Sequence, residues 1–408
     1  MALKSKQVQE TEIETIPLGE LVSNYDSKRI PLSTMERTKR KGNFPYYGAT
    51  TIIDFVDDYI FDGIFVLLGE DGSVSHDDGT PFVQYVDGKF WANNHVHVLK
   101  TNEKILPRFL FYALRSVNVE GFTTGTVQLK INQNNLNNIP IPNFSLPEQE
   151  QIGKTLSDLD TKIQNLQNQN RILEQTAQAI FKSWFVDFDG VTEWDDSELG
   201  KIPKGWKAVL FNEFGECVKG FSYKGIEKFN TPQGFEFVTL NSIKEGGGFK
   251  KRVTWLESDR LKERHFVKEL DLIIANTEQT KDARLLATPA LVQFSHDYTK
   301  ELAVYSHHIT RIDSKVPNSK FYLYSLFLYQ QKIIANAYHT GTGVWGFDHT
   351  GFSENHFIIK PNQDILNDFE KFSFEIHSKI IKNEKSISIL TKTRDTLLPK
   401  LMSGEIRV

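Results

Sequence analysis

The sequence predicts an α+β protein built as an internal repeat, with two β-rich domains, each followed by a long helix, and the two helices pairing as an antiparallel coiled coil. Three observations carry this prediction. A heptad stripe occurs twice, once near the middle of the chain and once at its end. Each stripe is preceded by short strand-like segments punctuated by glycine. The two halves also echo each other residue by residue. The boundaries that follow are 1–145 and 191–360 for the β-rich domains, and 146–190 and 361–408 for the helices with the C-terminal tail.

In the first half, Tyr46-Tyr47-Gly48, Ile52 to Val56, Ile64 to Leu68, Phe82 to Val86 and Val96 to Leu99 have strand composition. The segment PRFLFYALRSV, Pro107 to Val117, has helical spacing with Phe109, Tyr112, Ala113 and Leu114 inward. In the second half, Phe235 to Leu240, Leu272 to Ala275, Ala290 to Phe294 and His307 to Ile312 read as strands, followed by a helix at Asn318 to Ala337. Phe109, Tyr112 and Leu114 match Phe321, Tyr324 and Leu326, and Thr124-Gly125-Thr126 echoes Thr340-Gly341-Thr342. Leu173, Ile180 and Phe181 match Leu390, Leu397 and Leu398.

The first stripe comprises Ile152, Leu156, Leu159, Ile163, Leu166, Asn170, Leu173, Ala177, Ile180 and Trp184. The second comprises Phe369, Phe372, Ile376, Ile380, Asn383, Ile387, Leu390, Arg394 and Leu397. A mean period of 3.5 marks a coiled-coil seam that needs a partner helix. Ser145 with Glu148 forms a capping box, and Pro147 sits in the first turn, where its missing donor costs nothing. Gly190 closes the first helical region, and Pro399 is expected to end or kink the second.

One antiparallel register sets Asn170 against Asn383, Leu166 against Ile387, Ile163 against Leu390 and Ala177 against Ile376. Its misfits are Leu159 opposite Arg394 and Ile180 opposite Ser373. An Asn pair inside such a seam lowers stability but fixes alignment; two solvent-facing asparagines are the plain alternative. A coil of ~33 residues at 1.5 Å each is roughly 50 Å long, on the scale of one to one and a half turns of duplex DNA.

The 408 residues favour two or three domains, and 39% hydrophobic with 25% charged residues is a globular composition. No apolar run reaches the ~18 residues that suggest a membrane span. The N-terminus lacks an export pattern, and the single Cys217 permits no internal disulfide, so a cytoplasmic, reducing location is expected. Net charge is −4, unevenly distributed: residues 146–200 hold 4 basic and 11 acidic side chains, whereas 201–360 hold 22 basic and 17 acidic. A basic second block beside an acidic helix permits a nucleic-acid partner.

Enzyme signatures are missing. No GxxxxGK(S/T) phosphate loop, HExxH or CxxC is present, and no two prolines are adjacent, which excludes the (D/N/S)PP(Y/F) loop of amino-methyltransferases. Glu70-Asp71 suits a turn between strands, and His307-His308 would point to opposite faces of a strand, so no metal site is assigned. Candidate nucleic-acid contacts are Arg37, Lys39, Arg40 and Lys41 with Tyr46 and Tyr47, then Lys250, Lys251 and Arg252. The loop bearing Asn276, Thr277, Gln279, Lys281 and Arg284 supplies groups able to read base edges. Singly, each charge run is more often a solvated face; recurrence in both halves favours DNA.

These features together resemble the specificity subunits of type I restriction–modification systems. The resemblance spans nearly the whole chain. It is carried by TTGTVQLKINQNNLNNIPIPNFSLPEQEQIGKTLSDLDTKI (Thr123 to Ile163), LGKIPKGW (Leu199 to Trp206), DLIIANTEQTKDARLL (Asp271 to Leu286) and LLPKLMSGEI (Leu397 to Ile406). The second copy departs at IIKPNQD, Ile358 to Asp364, which lacks the Glu-Gln pair. The resemblance implies two target-recognition domains reading a split site in double-stranded DNA, spacer helices that dock partners, and no catalysis or cofactor in this chain. S-adenosylmethionine would belong to two modification subunits, and ATP and Mg to a restriction subunit. The alternatives are a coiled-coil scaffold that does not bind DNA, and a restriction enzyme with an unrecognised site.

Overall fold

The computed structural model describes residues 13–407 apart from 73, 126–127, 279–283, 296 and 342–343. It divides into two compact units, one formed by residues up to 165 together with those from 389 onward, the other by 166–388. Both boundaries fall inside the long helices, Leu146–Phe185 and Gln363–Met402. The fold is mixed, as the alternation of strand-like and heptad segments predicts. No helix among the described residues is long and apolar enough to cross a membrane.

In the first unit a sheet runs in the order Val22–Asn24, Val96–Thr101, Phe61–Gly69, Val83–Ala92, Lys41–Tyr47, Ile52–Val56. Its pairings are antiparallel except for Lys41–Tyr47 beside Val83–Ala92. The second unit repeats the first four places with Gly215–Lys219, Ile309–Ser314, Leu272–Ala275 and Pro289–Leu291. A ribbon closes each domain before its helix: Thr15–Pro17 pairs with Pro140–Pro142, and Lys207–Leu210 with Phe357–Lys360.

Each core is completed by segments of both long helices. In the first unit, Phe109, Leu110 and Leu114 pack with Ile152 and Leu156 of the first helix and with Leu398, Leu401 and Met402 of the second. In the second unit, Phe321, Tyr322 and Phe327 pack with Phe181 and Phe185 and with Leu366, Phe369 and Ile381. This explains the fate of Pro399, which lies inside the helix rather than ending it. Proline removes one backbone donor and crowds the preceding turn, but burial of Leu401 and Met402 holds the last turn in place.

Other boundaries move by a few residues. The first long helix ends at Phe185, and Phe188 and Gly190 then take positive φ in the following turn. The strand expected from Ala290 to Phe294 is Pro289–Leu291, and the helix expected from Asn318 starts at Lys320 because Asn318 has φ 51°. The strand expected from His307 begins at Ile309. His307 and His308 lie in the turn before it with ring centroids 3.9 Å apart, not on opposite strand faces.

Helix starts are fixed by polar side chains. Glu148 accepts from the backbone N–H and hydroxyl of Ser145 at 3.0 and 2.7 Å. Gln149 is buried and fully used: it accepts from Leu106 N–H and donates to the carbonyls of Lys104 and Phe144. Glu148 thus caps its own helix, while Gln149 ties that helix to the loop ahead of the helix Pro107–Leu114. The second helix lacks that pair and uses Asn362, whose side chain accepts from Ile365 N–H at 3.1 Å.

Along the seam, Asn383 Nδ2 donates to Asn170 Oδ1 at 2.8 Å, and Asn170 Nδ2 donates to Glu384 at 2.9 Å. Ala177 packs with Ile376 and Ile380. Ile163 and Leu166 are buried, while Ile387 and Leu390 are half-buried. The apparent misfit at Arg394 is resolved by the neighbour of Leu159: Asp160 accepts from Arg394 at 2.5 Å and from the Tyr112 hydroxyl at 2.6 Å. Ser373 remains a real misfit, its buried hydroxyl lacking a hydrogen-bond partner among the described residues.

Replacing Asn170 alone by Leu strands a buried amide on Asn383, at a cost of about 2 kcal/mol. The Asn170→Leu, Asn383→Leu double variant is expected to recover most of that loss while relaxing alignment. Chemical denaturation of both variants checks it; equal losses in the two would mean that the amides do not act as a pair.

A second expectation concerns pH. Burial lowers the pKa of His349, His356 and His377 from 6.5 to about 4 in each case. Because the unfolded chain takes up these protons first, stability from this source is complete above pH 6.5 and falls steadily until pH 4. For His377, 7% exposed, the shift corresponds to roughly 3 kcal/mol. Melting temperature measured from pH 8 to 4 is expected to drop below 6.5, and less steeply in His377→Phe.

Candidate nucleic-acid interface

The two units present the same corner. In the first, the central strand Phe61–Gly69 continues through Glu70 into Asp71–Gly72, which pairs with Leu129–Lys130. In the second, Leu272–Ala275 continues through Asn276 into Thr277–Glu278, which pairs with Trp345–Phe347. Backbone bonds coincide: Glu70 N–H donates to His95 C=O and Asn276 N–H to His308 C=O. Each corner carries a Thr-Gly hairpin. Gly125 and Gly341 have φ of 93° and 88°, and a Cβ would lie 2.3 Å from Gln128 C=O or 2.5 Å from Val344 C=O. Only glycine fits there, which is why the Thr-Gly dipeptide recurs. Thr126 and Thr342 lie outside the described residues.

Ion pairs fix the first corner. Glu70 accepts from Arg29 at 2.5 Å and pairs with Lys130 at 2.9 Å. His97 is set between Asp26 at 2.5 Å and the Ile131 carbonyl at 2.8 Å. Burial opposes the charge on Glu70, but Arg29 and Lys130 outweigh it and hold its carboxyl below the usual range. For Asp26 burial is likewise outweighed, here by His97 and the Val98 and Asn24 donors. Asp26, Glu70 and His97 bring three potential ligand atoms within 4.8 Å of one another, a cluster the sequence reading missed. Those atoms already face protein partners, so the arrangement works as an ion-pair network. At the rim, His95 contacts Asp71 at 2.5 Å.

The second corner has amide, hydroxyl and imidazole groups where the first has the Arg29–Glu70–Lys130 ion pairs. Asn276 donates to the His307 carbonyl at 2.9 Å, and Thr277 contacts His308 at 3.1 Å. Among the described residues, Asn276 Oδ1, Ser306 Oγ and His307 Nδ1 are buried without hydrogen-bond partners. The His339 ring stacks on Trp345 with centroids 4.1 Å apart. Arg284 is exposed and pairs with Glu245 at 3.6 Å. Gln279 and Lys281 lie outside the described residues.

The basic clusters divide sharply. Arg37 bonds Asp54 and the Leu32 carbonyl and lies over the Tyr46 ring; Arg40 pairs with Asp57 and covers Trp91; Lys41 pairs with Asp54. These three engage carboxylates at the sheet edge; Lys39 and Lys41 are both exposed, Lys41 in its pair with Asp54. Tyr46 is a correction: at 1% exposure its ring belongs to the core and its hydroxyl accepts from Leu32 N–H, so it cannot stack on a base. Tyr47 is half-buried, edge-on to Phe90. Lys250 and Arg252 are exposed, whereas the Lys251 amine is buried without a hydrogen bond, and burial lowers its pKa. Lys251 is therefore not part of a surface patch. Sequence reading missed Lys130, His95, His339 and Trp345; for Lys130, His339 and Trp345, position beside the Thr-Gly dipeptides was the available signal, and His95 had none.

Comparison with known proteins agrees with this duplicated plan. Residues 10–175 match the family model described as the type I restriction modification DNA specificity domain. A Haemophilus influenzae protein, named for the type I restriction enzyme specificity subunits, is 40% identical over 154 residues, 38% of this chain and 39% of that protein. The match thus spans about two fifths of that relative's length. The MjaIX specificity subunit of Methanocaldococcus jannaschii is 29% identical over 315 residues, 74% of this chain and 70% of its own. Among solved structures, the type I restriction–modification S subunit from M. genitalium shares the fold, with TM-score 0.64, 16% identity, and coverage of 98% of this chain and 99% of that one. Residues 10–175 are thus similar to the type I restriction modification DNA specificity domain, and the chain as a whole shares the fold of the M. genitalium S subunit.

Proposed function

We propose that this chain is the non-catalytic DNA-recognition subunit of a type I restriction–modification complex. The observation that carries the reading is the recurrence of one corner in both units: the same strand exit, the same backbone bond and the same glycine hairpin, furnished with different side chains. A common scaffold with unlike polar groups suits two readers of unlike sequence. Each would read one half of a bipartite site in double-stranded DNA. Base contacts would come from Asn276, Thr277 and Arg284 in the second unit, and from the Lys130–His95 rim in the first. Phosphate contacts would come from the exposed Lys39, Lys250 and Arg252.

The paired helices would dock two methyltransferase subunits, which carry S-adenosylmethionine, and a restriction subunit, which uses ATP and Mg. The chain supplies none of that chemistry in this reading; its work is to bind and orient. Such an assembly acts in the cytoplasm, where the DNA is.

Methylome sequencing of a host carrying this chain with its modification subunit tests the reading. A motif with two specified halves around unspecified bases is expected, and altering Asn276 and Arg284 is expected to change one half alone. Replacing Lys39, Lys250 and Arg252 with Ala is expected to weaken all duplexes together and flatten the salt dependence of binding, since phosphate contacts carry little sequence information. A continuous motif, or a change in both halves, contradicts the assignment.

A further inference from the structure

The second unit holds a cavity of about 80 Å³ that the recognition role leaves unused. It is lined by Glu174 and Gln178 of the first long helix, His377 of the second, Tyr324 and Ser325 of the helix Lys320–Ala337, and the Gly246–Gly248 loop. His377 and Ser325 are each 7% exposed and no protein group hydrogen-bonds to either side chain among the described residues. The His377 ring is wedged flat on Phe321, centroids 5.1 Å apart, and edge-on to Tyr324 at 5.3 Å. Packing therefore fixes its orientation while leaving its nitrogens unused.

The charge balance of the cavity is equally one-sided. Glu174, which like Gln178 is exposed to solvent on its other side, forms no ion pair within 4 Å among the described residues; the nearby Lys244 is also exposed and acts on it only at longer range. Desolvation raises the proton affinity of Glu174, the neighbouring Glu384 adds to that, and Lys244 opposes it. His377, kept neutral by burial, offers a lone pair rather than a positive charge. A carboxylate, an imidazole lone pair and the oxygens of Tyr324, Ser325 and Gln178 form a lining rich in acceptors. Gly247, with φ 105°, brings backbone against Leu328 where a Cβ would collide at 2.4 Å, so the loop closes one wall tightly.

We propose that this cavity binds a single protonated nitrogen head group, an ammonium or guanidinium, held by Glu174 with Ser325 and His377. The head group has two possible sources, a free small amine or the end of a lysine or arginine side chain of a docked partner subunit. The second source rests on the assembly proposed above; the first does not.

The test uses the full chain and the probes ethylammonium and methylguanidinium, each compared with sodium chloride at equal ionic strength. Binding by a free amine predicts a saturable shift of the His377 imidazole NMR signals and a raised melting temperature. Glu174→Gln is expected to weaken it about tenfold or more, as loss of a charged hydrogen bond does, and Ser325→Met, which fills the space, to abolish it. If neither probe binds, adding the modification subunit is expected to shift the same His377 signals, with Glu174→Gln weakening assembly and a folded chain confirmed by circular dichroism. No His377 response to either probe or to the partner, or a response unchanged in both variants, overturns the proposal. Because recognition of a bipartite motif is scored separately by methylation, failure here leaves that reading standing.

Discussion

The structure depends on one constraint: neither β-rich domain has a complete core without the long helices. The face of Pro107–Leu114 is covered by Ile152 and Leu156 from one helix and by Leu398, Leu401 and Met402 from the other. The face of Lys320–Ala337 is covered by Phe181 and Phe185 from one and by Leu366 and Phe369 from the other. Burying a large apolar side chain contributes about 1.5–3 kcal/mol. Several such residues per domain make the helices part of each fold rather than linkers between folds. The compact units cut through both helices for the same reason.

Polar groups then set alignment where apolar burial cannot. Leucine and isoleucine layers tolerate slippage by a heptad; an amide pair does not, since a shifted register leaves both Asn170 and Asn383 unpaired in a buried layer. Asp160 fulfils a similar role, receiving Arg394 from the other helix and the Tyr112 hydroxyl from the domain. At the helix starts, Gln149 and Asn362 satisfy backbone donors by different means. Register is thus specified by a few hydrogen bonds laid over apolar helix faces.

Much of this was legible in the sequence because it depends on period. The 3.5-residue stripe gave both helices, and the match of Phe109 and Tyr112 to Phe321 and Tyr324 gave the repeat. Pro399 misled because a local rule was outweighed by burial of Leu401 and Met402, a long-range effect no window contains. The candidate site was legible only in part. Arg37, Arg40 and Tyr46 look like a basic-aromatic surface run, yet Asp54, Asp57 and the Leu32 backbone engage them. Charge in sequence does not reveal its counter-charge, which here lies in a neighbouring strand. Glu70, read only as part of a turn, and His97, not singled out, are hidden for the same reason: their partners, Arg29, Lys130 and Asp26, are distant in sequence.

The most direct test of the shared-core account is hydrogen exchange by mass spectrometry on a chain ending at Thr396, which lacks Leu398, Leu401 and Met402. The account predicts lost protection in peptides covering 105–114 and 150–159, with protection retained over 321–327 and 366–381. Unchanged protection in the first set would show that the first domain folds without the last turns of the second helix and would contradict the account.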